Sequence, residues 1–63
     1  MTITRHSAIF VNDDERMLEL TIRRDGSPIA VVILPCMPGY EEDTLHYANK
    51  AADVFLKQEN ERD

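Results

Sequence analysis

His6, His46 and Cys36 are the side chains best suited to act as base, nucleophile or soft metal ligand. A cysteine becomes a catalytic nucleophile when a base lies within hydrogen-bond reach. The spacing argues against that pairing. His46 sits beside Tyr47 in a helix-like segment, whereas Cys36 sits in a turn bounded by Pro35 and Pro38. Surface or packing roles are expected for all three. A structural zinc site needs four organised ligands, and no paired Cys or His spacing supplies them. Asp13-Asp14-Glu15 lacks the twelve-position pattern of a calcium loop. With only Gly26 and Gly39 present, there is no glycine-rich phosphate loop. The residues therefore predict no enzyme, no cofactor and no metal.

The remaining chemistry is anionic. Asp13, Asp14 and Glu15 form one acidic triplet, and Glu41, Glu42 and Asp43 form another. One reading is solubility together with helix-end electrostatics. The other is an anionic patch aimed at a basic groove. Duplex DNA carries one charge per roughly 1.7 Å of axis, and a stiff carboxylate cluster imitates part of that field. Such a patch steers toward a basic nucleic-acid-binding protein and competes for its site. Tyr40 and Tyr47 flank the second triplet. Tyrosine there serves either as an interface anchor or as a cap on the edge of the core.

The elements that must hold these residues follow from periodicity. Leu18, Leu20 and Ile22 alternate with Glu19, Thr21 and Arg23, the period of a half-buried strand. Asp25-Gly26 follows, a preferred pair for a two-residue type I′ turn. The apolar, β-branched run 29–34 is the returning strand. This turn predicts Ile22 opposite Ile29, Leu20 opposite Val31 and Leu18 opposite Ile33, all on the core face. An earlier strand is expected over residues 3–11, closed by the polar break 12–15, with the face that holds Phe10 left open. Pro35 and Pro38 end the sheet. From Glu41, Leu45, Ala48, Ala52 and Phe55 or Leu56 form a helical stripe, with Asp43 or Thr44 as N-cap and a frayed polar tail over 58–63. The expected fold class is α+β: a three-stranded antiparallel meander with one C-terminal helix on one face, β-β-β-α. The second face is expected to expose Phe10, Met17, Leu34 and Val32, a strip suited to a partner or a second copy. The chain is thus expected to be a monomer or a weak homodimer.

With 63 residues the chain makes a single domain, 1–63. Twelve Asp and Glu against seven Lys and Arg give a net charge of −5. That balance excludes direct binding of nucleic acid, which needs a basic footprint. A lone cysteine suits a reducing compartment. Residues 1–6 have no signal-peptide h-region, and no apolar run approaches the length of a membrane span. A cytoplasmic protein is expected.

In size, acidity, lack of catalytic motifs and sheet-plus-helix plan, the whole chain resembles the small anti-CRISPR proteins of phages and mobile elements. Within that group it is similar to the type I inhibitors, with type I-C as the suggested subtype. This resemblance implies binding to a subunit of the Cascade effector complex and blockade of target DNA. Asp13, Asp14, Glu15, Glu41, Glu42 and Asp43 would be the DNA mimic, with Tyr40 beside them. A second resemblance lies over residues 17–56. Leu34-Pro35-Cys36-Met37-Pro38-Gly39, then Asp43-Thr44-Leu45, Ala48 and Ala51-Ala52, look like the strand, Leu-Pro-Gly and Asp-Thr-helix passage of HicB-type antitoxin domains. The 39–43 loop is shorter than in that pattern. This likeness implies an antitoxin domain that covers the basic RNA site of a small RNase toxin. A homodimeric structural module joined through the open sheet face is the third reading.

Overall fold

A computed structural model describes residues 2–61. Strands β1 (Ile3–Asn12), β2 (Glu15–Arg24) and β3 (Ser27–Pro35) precede one helix, α1 (Glu41–Glu61). The strands form one antiparallel sheet in the order β1-β2-β3, the β-β-β-α meander expected from periodicity.

Both hairpins close on two-residue turns. Asp25 and Gly26 have φ of 52° and 87°, and Asp13 and Asp14 have φ of 50° and 65°. Positive φ at both central residues is the type I′ signature, whose twist matches that of the flanking strands. The first strand is also tied to the far turn. Asp25 N–H donates to the Thr2 carbonyl, and Thr2 N–H donates to Asp25 Oδ1, each at 2.8 Å.

The expected β2–β3 register survives for only two pairs. Arg24 faces Ser27 and Arg23 faces Pro28, but Ile22 then faces Ala30 across a β-bulge. Ile29 is the extra residue. It directly follows Pro28, which has no N–H to give the ladder, and proline within sheets gathers at edges and bulges. Beyond the bulge, Thr21 faces Val31, Leu20 faces Val32, Glu19 faces Ile33 and Leu18 faces Leu34. The predicted opposition of Leu20 to Val31 and of Leu18 to Ile33 is therefore wrong by one residue. A one-residue shift exchanges faces. Ala30, Val32 and Leu34 turn to the core, while Val31 and Ile33 turn outward.

The core lies between β2, β3 and the helix. Leu18, Leu20, Ile22, Cys36, Ala48 and Ala52 are buried, with Ile3, Ile29, Val32, Leu34, Leu45, Phe55 and Leu56 packed around them. Two alanines at the centre of the helical stripe let α1 approach the sheet closely. The helix covers β2 and β3. Its link to β1 is polar: Arg5 donates to Asn49 Oδ1 at 2.8 Å and pairs with Asp53 at 2.6 Å.

The start of the helix also differs from expectation. Thr44 is buried within the first turn, and both its N–H and its hydroxyl donate to the Tyr40 carbonyl, at 2.9 and 2.7 Å. Tyr40 therefore occupies the cap position, and neither Asp43 nor Thr44 does. Burial on the core face outweighs the general preference of threonine for caps. The C-terminal segment is helical through Glu61. Of the expected frayed tail, residues 62 and 63 lie outside the described residues.

Candidate functional site

The meander places the β1–β2 turn, the end of β3 and the start of α1 at one end of a molecule 40 Å long. Asp13 and Asp14 form the tip of the first hairpin, and Glu15 opens β2 opposite Asn12. Glu41, Glu42 and Asp43 fill the first helical turn. There they face the unpaired N–H groups and the positive end of the macrodipole. Both triplets thus belong to the same end.

They do not make one continuous patch, because Arg16 stands between them. Arg16 is in phase with Leu18, Leu20 and Ile22, so it points to the helix side and pairs with Glu41 at 3.0 Å. Glu15 has the opposite phase and faces the open side of the sheet. Glu41 Oε2 also accepts from the Gly39 N–H at 3.3 Å. Its own backbone N–H, that of Gly39 and the nearby Arg16 charge hold its carboxyl below the ordinary value of 4.5. Among the described residues, Asp13, Asp14, Glu15, Glu42 and Asp43 form no ion pair. Five of the six predicted carboxylates therefore carry their charge unpaired, and the sixth is structural. The phase of Arg16 within β2 was the signal for this ion pair.

Tyr40 is 59% exposed at the same end, and Tyr47 is exposed about two turns further along α1, its ring edge-on to His46 at 5.9 Å. Beside the tip lies a shallow depression of about 440 Å³, lined by Met17, Pro35, Cys36, Met37 and Pro38 together with the charged Asp14, Glu15 and Arg16.

The thiol and the imidazoles stay apart. Cys36 is buried in the core, His46 is exposed on α1, and His6 lies on β1 beside Thr21, on the face away from the helix. No group of three or more His, Cys, Asp or Glu among the described residues is placed to hold a metal ion. No described helix is long and apolar enough to cross a membrane.

The expected apolar strip on the open face is half corrected. Phe10 and Met17 are paired with each other there, which settles the face of Phe10. Leu34 and Val32 face the core instead, and Val31 and Ile33 take their place at 51% and 50% exposure. No protein-family model, no curated protein and no solved structure matches this chain.

Proposed function

We propose that this chain is an inhibitory protein-binding module that presents its acidic end to the basic nucleic-acid site of a partner protein. The partner most in keeping with the resemblance to anti-CRISPR proteins is a type I Cascade subunit, and the outcome is blocked binding of target DNA. The reading rests on five unpaired carboxylates, Asp13, Asp14, Glu15, Glu42 and Asp43, carried at one end by a tight turn and a helix start. Stiff support matters because a preorganised charge array loses little entropy on docking. Tyr40, exposed beside the carboxylates, supplies apolar area at the rim. The lone thiol of Cys36 suits the reducing bacterial cytoplasm in which such an inhibitor works.

The test is binding to purified type I Cascade at low and high salt, with duplex DNA as competitor. Association should weaken steeply with salt, as charge-steered binding does, and DNA should displace the protein. Replacing Glu15, Glu42 and Asp43 together by Lys should weaken binding about a hundredfold at low salt, since each reversal turns an attraction into a repulsion. Circular dichroism of the same variant verifies its fold. Binding that ignores both salt and charge reversal overturns the reading.

A further inference from the structure

The sheet has a helix on one face only. On its other face, Val31 and Ile33 stand half exposed among Ala8, Phe10 and Met17. Along the central strand the same face carries Glu15 at the acidic end, then Glu19 and Arg23, with His6 of β1 beside Thr21. Among the described residues neither Glu19 nor Arg23 forms an ion pair. Glu19 accepts a 3.4 Å hydrogen bond from Thr21, and Arg23 donates to the Gly26 carbonyl at 3.4 Å. Thr21 lies midway between them.

A two-fold axis in the plane between two such faces, perpendicular to the strands and level with Thr21, reverses the order of rows. Glu19 of each copy then meets Arg23 of the other, twice per assembly. Val31, level with Thr21, meets its own counterpart. Side chains reach across because packed sheets lie about 10 Å apart with strands nearly aligned. The area is adequate. Ten-residue strands span roughly 33 Å, and three of them span roughly 14 Å, so each face offers about 450 Å² in projection. Two rough faces approach the ~1,000 Å² that a specific interface needs. The net charge of −5 selects the same arrangement. Parallel stacking would press the acidic ends together, whereas the antiparallel one sends them to opposite poles, roughly 45 Å apart at 3.3 Å per residue.

We propose that a second copy of this chain covers the open sheet face, its strands antiparallel to the first, so that Glu19 and Arg23 pair reciprocally across the interface. Sedimentation equilibrium from low micromolar to near-millimolar protein reads the association. The mass should rise from one chain to two. Val31→Asp and Ile33→Asp should remain monomeric at every concentration while keeping the native circular dichroism. Glu19→Arg and Arg23→Glu should each weaken the dimer about tenfold, and the double exchange should restore it, since charge pairs couple across interfaces. A wild type that stays monomeric overturns the proposal and leaves the face to a different protein. A dimer indifferent to Val31→Asp assigns association to another surface and overturns it equally. A double exchange no tighter than the single ones overturns the antiparallel register.

Discussion

Asp14 holds a left-handed backbone, φ 65°, in the first hairpin turn. L-residues other than glycine pay roughly 1–2 kcal/mol there, less for aspartate, whose short side chain tolerates the conformation. Asp14→Gly should therefore stabilise the fold by about 0.5 kcal/mol after the added entropy of the unfolded chain is counted. It also removes one of the tip carboxylates. A thermal melt should thus rise while affinity for a basic partner falls, and the opposite signs separate structure from binding at one position. Glu41 behaves differently, because its charge is spent internally on Gly39 and Arg16. Its folded value lies below 4.5, so its contribution is complete above that pH and disappears as pH falls through the lowered value. Glu41→Gln should lower the melting temperature at neutral pH, and the two proteins should converge in acid. A constant gap across pH would place its role in packing. The acidic triplets and their shared end were legible in the sequence, because strand parity in a meander dictates which connections lie together. The internal use of Glu41 was not read, although the phase of Arg16 within β2 carried it.

At the level of elements, the Asp25-Gly26 turn was legible, since few residue pairs suit two successive positive φ values. The register beyond it was not, because two alignments of the run 29–34 both bury three apolar residues against β2. The bulge directly after Pro28 decides between them, and proline within sheets gathers at bulges and edges. Deleting Ile29 should accordingly leave the faces of Val31 and Ile33 unchanged. It should cost about 1–3 kcal/mol in lost apolar packing, read by urea unfolding with the dimer retained. The helical stripe offers a second check. Ala48 and Ala52 are wholly buried against the sheet, so Ala48→Leu should overpack the layer and destabilise by about 1–3 kcal/mol. No loss of stability would mean that the helix rides higher on the sheet than its alanines imply.

Over the whole molecule, charge and fold pull in opposite directions. Five unpaired carboxylates at one end of a chain with net charge −5 repel one another most at low ionic strength. The ion pairs Arg5–Asp53 and Arg16–Glu41 are at least a third exposed on most of their side chains, and exposed pairs contribute only about 0–1 kcal/mol each. Salt screens both effects, with a Debye length shrinking from about 10 Å at 0.1 M to about 3 Å at 1 M. Since the repulsive groups outnumber the pairs, the free protein should melt at a higher temperature as sodium chloride is raised. Its association with a basic surface should weaken over the same range. Differential scanning fluorimetry and a binding titration in matched buffers measure the two slopes. Opposite signs are expected when the acidic end is held together by the fold at a cost recovered on docking. A melting temperature that falls with salt would mean that the two ion pairs outweigh the tip, leaving no stored repulsion for a cationic partner to relieve.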